Sequence, residues 1–411
     1  MKADIDRLMK EQKIDILLVT GSAQHNPSMA YFTGGGHISD SDLIKKRGSE
    51  PVLFHNSIER EEAARTGLKT ISYSKYPLVD LIKEAGGNYL EAYVLRYQKM
   101  FTDLGITSGK VAVYGLKEVG GFHSVLNRLQ QLMPKLFFEG FMRDEILLSA
   151  MMTKDADEIA RIRQMGKVTV DVVGKTADFL TSHKTKKGLL VHTDGTPLLI
   201  GEVKRRINLW LAEHGVENPE GTIFAIGRDA GVPHSTGTAT DALRLGQTIV
   251  FDIFPCESGG GYFYDFTRTW CLGFASDAVL KLYEDVKTAY DKVTSELKLN
   301  KPFFHYQNRA CEIFEELGHP TILSNPVTEV GYVHSLGHGI GLHVHEKPWA
   351  TTINPSPSDI LAPGSVFTLE PGLYYPEKGM GVRIEDSLVV TPEGKFEILA
   401  DYPKDLFLPL K

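Results

Sequence analysis

Four acidic residues sit inside segments that otherwise read as buried strands. Asp252 interrupts "TIVFDIF", Asp265 lies among aromatics and threonines in "YFYDFTRTW", Glu370 closes "VFTLEPG", and Glu385 falls within "VRIEDSLVV". Taken singly, each reads as an edge-strand acid or a salt-bridged core acid, because a buried and unpaired carboxylate is costly. Four of them on four strand-like segments of one region point to a shared polar site. Two like charges about 4 Å apart repel by roughly 4 kcal/mol at an effective dielectric near 20. Four gathered carboxylates would therefore take up protons unless cations balanced them. Two divalent ions match four carboxylates charge for charge, whereas one leaves the set under-neutralised.

A second cluster lies at 334–346, HSLGHGIGLHVHE, which holds His334, His338, His343 and His345. The glycines at 337, 339 and 341 argue against a helix and for a close-packed turn or an irregular strand. The HExxH spacing of helical zinc proteases does not occur in the chain. So many imidazoles in so short a stretch indicate a metal or acid–base site. His234, in "GVPHSTGT", stands on a segment rich in turn residues and is expected on a loop.

HSLGHGIGLHVHE resembles the signature of the proline-specific pita-bread metallopeptidases, aminopeptidase P and prolidase. The same order of segments is present: Asp252, then Asp265 in "DFTRT", Glu370 in "LEPG", and Arg383 with Glu385 in "GVRIED". The resemblance implies an α+β chain. Its C-terminal pita-bread domain has a curved antiparallel sheet with covering helices, and a smaller α/β domain of the creatinase and aminopeptidase P type precedes it. It implies two divalent metals (manganese, cobalt, zinc or iron, the first two favoured) held by Asp252, Asp265, His338, Glu370 and Glu385. Asp265 and Glu385 would bridge them. The implied reaction is hydrolysis of the Xaa-Pro bond of short peptides by a metal-bridging hydroxide, with Glu370 also moving the proton. His345 would bind substrate or stabilise the oxyanion, His234 would be a further active-site histidine, and His334 would shape the pocket floor. Arg383, two positions from Glu385 and so on the same strand face, would orient that bridging carboxylate. Thr267 would likewise hold Asp265. The interval between the two aspartates is slightly longer than is usual in the family, and the excess falls in the glycine turn of "CESGGGY", which is expected to pair the two strands and set the aspartates facing each other. Other readings are a metal-free creatinase-type C–N hydrolase or an inactive binding module. Relatives of this kind imply a homodimer.

The elements that must carry these residues divide at about 150. Residues 1–149 alternate strand-like runs ("DILLVTG", "PVLFHN", "KVAVYG") with helical ones ("SIEREEAARTG", "SVLNRLQQLMP"). Gly34, Gly35 and Gly36 lack the GxGxxG spacing of a nucleotide-binding turn. Residues 150–411 open on a long helix whose first turn carries Asp155, Asp157 and Glu158. A second helix, "GEVKRRINLWLAEHG", follows before the strands that bear the acids. With 411 residues, two cores are expected. A net charge of −7 with scattered Lys and Arg speaks against a nucleic-acid partner, and the absence of a long apolar run against a membrane span. The charged N-terminus and the three cysteines, Cys256, Cys271 and Cys311, without CxxC spacing, lead us to expect a cytoplasmic protein with buried free thiols.

Overall fold

The computed structural model describes residues 1–410, which divide into two units. Met1–Met151 with Gly259–Gly261 forms one, and Met152–Ser258 with Tyr262–Lys411 the other.

The first unit is built on a six-stranded sheet of order β4-β3-β2-β1-β5-β6. Its strands are β1 Ile16–Gly21, β2 Ser41–Lys46, β3 Val52–His55, β4 Lys69–Ser72, β5 Gly109–Gly115 and β6 Leu136–Gly140. The three apolar runs predicted as strands form β1, β3 and β5. β2 escapes prediction because "SDLIKK" is half polar, yet five of its six residues are buried. Its Asp42 is accommodated by three hydroxyl donors, Thr20 at 2.6 Å, Tyr73 at 2.6 Å and Tyr97 at 2.8 Å. Helices Tyr89–Asp103 and Val119–Leu132 supply Met100, Phe101 and Leu129 to the core beneath the sheet. Gly34 is the left-handed C-cap of helix Pro27–Thr33 (φ 76°), so this glycine stops a helix.

The second unit begins with the long helix Ala156–Thr181. Asp155 and Glu158 close a reciprocal capping box at its start, at 2.9 and 2.8 Å. The predicted second helix is Ile200–Glu213. Two small ladders pair β7 Lys184–Lys186 with β8 Leu189–Val191, and β9 Val216–Glu217 with β12 Cys256–Glu257. The acids lie on two larger sheets. One, of order β10-β11-β13-β21, comprises Thr222–Ile226, Thr248–Ile253, Phe266–Leu272 and Phe407–Leu408. The other, of order β15-β14-β16-β19-β20, comprises Glu346–Ala350, Gly337–Gly339, Val366–Leu369, Asp386–Val390 and Phe396–Ile398. A hairpin of β17 Gly372–Tyr375 and β18 Met380–Arg383 lies between β16 and β19 in the chain. Helices Asp277–Glu296 and Phe304–Glu316 bury Val286 and Phe314, with Phe303 at the N-cap of the second, in one cluster with Phe367 and Leu388 of the second sheet. Cys256, Cys271 and Cys311 are buried free thiols. Among the described residues no helix is long and apolar enough to cross a membrane.

Candidate metal centre

Each acid lies at or next to the end of a strand. Asp252 is the penultimate residue of β11, Asp265 immediately precedes β13, Glu370 follows β16, and Glu385 lies in the break between β18 and β19. β11 and β13 pair antiparallel as expected, and Glu257 and Tyr262 flank the predicted glycine turn with a backbone bond of 3.1 Å. The aspartates are not directly opposite, however. Asp252 pairs with Thr267, and Asp265 lies two residues further along the same face. Both carboxyl groups line the same cavity, and the charge of Asp252 acts on Asp265.

The second sheet brings the histidines. β14 pairs with β15, with a register shift at His338/Gly339, which is the irregular strand its glycines foretold. A Cβ at Gly339 would stand 1.9 Å from the Lys347 carbonyl oxygen, so only glycine permits this approach. His338 Nε2 lies 3.4 Å from Glu370 Oε1 and 3.8 Å from Asp265 Oδ2. Its Nδ1 donates to the Gly339 carbonyl at 3.1 Å, which leaves Nε2 as the ligand nitrogen. Ligand atoms of Asp265, His338 and Glu385 all lie within 4.8 Å of one another, and all three residues are buried. An isolated β-bridge between Thr267 and Glu385 ties the two acid-bearing regions together.

The electrostatics carry the mark of crowding. Burial, then the charges of Asp252 and Glu370, hold the Asp265 carboxyl well above the usual carboxylate range. Burial and the charges of Asp265, Glu370 and Asp252 do the same to Glu385. Glu370 goes the other way: burial pushes it up, but the His338 hydrogen bond and the nearby His334, His338 and Arg383 bring it to about 2. Asp252 Oδ1 and Glu385 Oε1 are buried without a hydrogen-bond partner. A buried carboxylate oxygen left in this state is tolerable where a cation meets it. Five convergent donors, four of them anionic oxygens, fit hard or borderline divalent metals.

A pH dependence follows. A carboxyl whose folded pKa is raised contributes stability that is complete below the ordinary pKa near ~4 and is lost as pH rises through the raised value. Asp265 and Glu385 should therefore make chelator-stripped protein lose thermal stability from about pH 5 upward, whereas metal reloading should flatten that fall. Melting curves of stripped and reloaded protein at pH 5 and pH 8 test this, and parallel declines would contradict it.

Three further contacts depart from the sequence reading. Arg383 does not reach Glu385. Its Nη2 donates to Asp252 Oδ2 at 2.5 Å, because the strand breaks at Ile384 and turns the two side chains to different partners. Thr267 holds Glu385, at 2.7 Å, rather than Asp265. His334 has both nitrogens engaged, Nδ1 with the Ser335 carbonyl at 2.7 Å and Nε2 with Tyr374 Oη at 2.8 Å. It can therefore present only a ring face, as a wall would. His345 packs against His338 with its ring tilted by 56° and the centroids 4.2 Å apart, and burial with the His338 charge lowers its pKa to about 4. His234 is exposed in a turn after β10, and both it and His345 line the same cavity of about 380 Å³ as the acids. His343 does not line it. Sequence reasoning missed Tyr374, which bridges Arg383 (2.7 Å) and His334, and the buried pair of Lys154 with Glu346. Neither has a local signal, since His334 lies 40 residues from Tyr374 and Lys154 lies 192 residues from Glu346.

The family model for metallopeptidase family M24 matches residues 160–392, more than half the chain. The chain belongs to metallopeptidase family M24. Among its relatives, the Xaa-Pro dipeptidase of Pyrococcus furiosus is 28% identical over 399 residues, 96% of this chain and 97% of that protein. The putative dipeptidase YkvY of Bacillus subtilis is 30% identical over 267 residues, 64% of this chain and 65% of that one. Solved structures share the fold along the whole M24 chain. The X-Pro aminopeptidase from Thermotoga maritima superposes with a TM-score of 0.73 at 24% identity, covering 98% and 99% of the two chains. The Xaa-Pro dipeptidase from Bacillus anthracis gives 0.74 at 21%, covering 100% and 99%. The fold is thus the pita-bread fold of M24, and the chain is a metallopeptidase by family.

Proposed function

We propose that this M24 chain hydrolyses the peptide bond preceding proline in short peptides, using two divalent metals, with manganese or cobalt favoured. The observation that carries the reading is that Asp252, Asp265, His338, Glu370 and Glu385 line one cavity, with ligand atoms of Asp265, His338 and Glu385 grouped within 4.8 Å and two carboxylate oxygens buried and unpartnered. Asp265 and Glu385 would be shared between the metals, Asp252 would complete one, and His338 with Glu370 the other. When bound, such ions polarise the scissile carbonyl and make a water acidic near neutral pH.

The side chains have separable tasks. Arg383 neutralises Asp252 and fixes its Oδ2, so that Oδ1 remains free for a ligand. Thr267 does the same for Glu385, leaving Oε1. Glu370 is a carboxylate across the physiological range, and it takes the proton of the attacking water and passes it to the departing prolyl nitrogen. His345, neutral near pH 7, donates an N–H to the developing oxyanion. Ile223, Phe254, Val344 and Trp349 supply apolar wall for a pyrrolidine ring. The bond before proline is a tertiary amide without N–H, and a site that reads no amide proton accepts it.

Elemental analysis of the purified protein, paired with a panel of Xaa-Pro peptides and their Xaa-Ala counterparts, tests the proposal. Peptide cleavage by metal-free protein, or equal cleavage of Xaa-Ala, would end it. His345→Ala should keep its metal and lose about 10²-fold or more in kcat, the usual cost of deleting an oxyanion donor. Unchanged turnover would reassign His345 to a packing role.

A further inference from the structure

The charges lining the cavity bear on which end of a peptide it reads. In an Xaa-Pro dipeptide the terminal carboxylate belongs to the residue just beyond the cut, so it must enter the cavity with the scissile bond. A desolvated carboxylate there calls for a guanidinium or an ammonium. Among the described residues lining the cavity the only Lys or Arg is Arg383. A guanidinium has five N–H donors. Four are committed: Nε to Thr267 (3.2 Å), Nη1 to Tyr374 (2.7 Å) and to the Pro233 carbonyl (3.3 Å), and Nη2 to Asp252 (2.5 Å). Its side chain is 3% exposed, and its charge is already opposed by Asp252. His334 has no ring nitrogen to offer, His338 belongs to the metal set and His345 serves the oxyanion. The exposed His234 is the one remaining imidazole, and the described lining holds no further guanidinium or ammonium.

The opposite charge is available. Glu220, just before β10, is an exposed member of the lining and the one acid in it outside the proposed metal set. An exposed carboxylate at the edge of such a cavity suits the α-ammonium of a peptide. In Xaa-Pro-Yaa the group after proline is a neutral amide, and nothing cationic is then required.

Resting on the Xaa-Pro reading above, we infer that the cavity recognises the free amino end of its substrate through Glu220 and leaves the position after proline unread. The preferred substrates are Xaa-Pro-Yaa peptides rather than Xaa-Pro dipeptides. The M24 chain is then an aminopeptidase in its specificity.

The test uses metal-loaded, full-length protein with Ala-Pro, Ala-Pro-amide, Ala-Pro-Ala and N-acetyl-Ala-Pro-Ala. The tripeptide and the amide should exceed the dipeptide by about tenfold or more in kcat/KM, and acetylation should abolish cleavage. Glu220→Gln should raise KM for Ala-Pro-Ala about tenfold while kcat holds. Preference for Ala-Pro over both the amide and the tripeptide overturns the inference but leaves the Xaa-Pro reading intact. An unchanged KM in Glu220→Gln removes Glu220 as the ammonium reader. Failure to cleave any member, with metal bound, overturns the Xaa-Pro reading itself.

Discussion

Asp265→Asn is expected to lose metal and to reduce kcat/KM by about 10³-fold or more. The magnitude follows from the several kcal/mol that metal polarisation supplies, at about 1.4 kcal/mol per decade of rate. Asp265 is central because its Oδ2 lies 3.8 Å from His338 Nε2 while its ligand atom groups with those of His338 and Glu385. The charge of Asp252 also acts on the Asp265 carboxyl. Removing its charge leaves three carboxylates where the balance with two dications needs four. The fold should survive, for the same crowding that raises this carboxyl means that the neutral amide relieves repulsion. Chelator-stripped Asp265→Asn should therefore melt no lower than chelator-stripped wild type at pH 8. Metal content and melting temperature, measured together, separate a lost ligand from a lost fold. Substantial cleavage surviving in the variant would remove the two-metal mechanism.

The second large effect is expected on stability. Lys154 and Glu346 form an ion pair with side chains 2% and 0% exposed. It joins the residue just before the capping box of the long helix to the last residue of the histidine segment. Glu346 also accepts the His343 backbone N–H at 3.4 Å, and a Cβ at Gly341 would lie 2.5 Å from its Oε1. Lys154→Met leaves a buried carboxylate without its cation and should destabilise the protein by about 3–5 kcal/mol. The double variant Lys154→Met, Glu346→Leu removes both charges and should recover most of that loss, as apolar replacements of buried pairs commonly do. Chemical denaturation of the single and double variants measures both. A single variant within about 0.5 kcal/mol of wild type, the range of an ordinary surface substitution, would show that the pair carries no such weight.

Much of this molecule was readable before any fold was known. The strand runs that became β1, β3, β5, β11 and β16 are short apolar segments bounded by breakers. The long helix announces itself through Asp155 and Glu158, whose capping box needs only a spacing of three. The elements that escaped notice were those in which tertiary partners override composition. β2 carries Asp42 into the core because Thr20, Tyr73 and Tyr97 converge on it from distant segments. Glu385 sits in a strand break, where a continuous strand was the simpler reading of "GVRIEDSLVV".

The sequence by itself determined the chemical inventory: which residues are acids and imidazoles, and that the glycines at 337, 339 and 341 keep this stretch from forming a helix. Residue type and local spacing encode these things directly. The tertiary structure alone decided the pairings. Arg383 meets Asp252 and not its near neighbour Glu385, Thr267 serves Glu385 and not Asp265, and Lys154 finds Glu346 nearly two hundred residues away. Such choices depend on strand register and on where one sheet's edge meets another's. A shift of one residue in either reverses the face a side chain occupies without changing a letter of the chain.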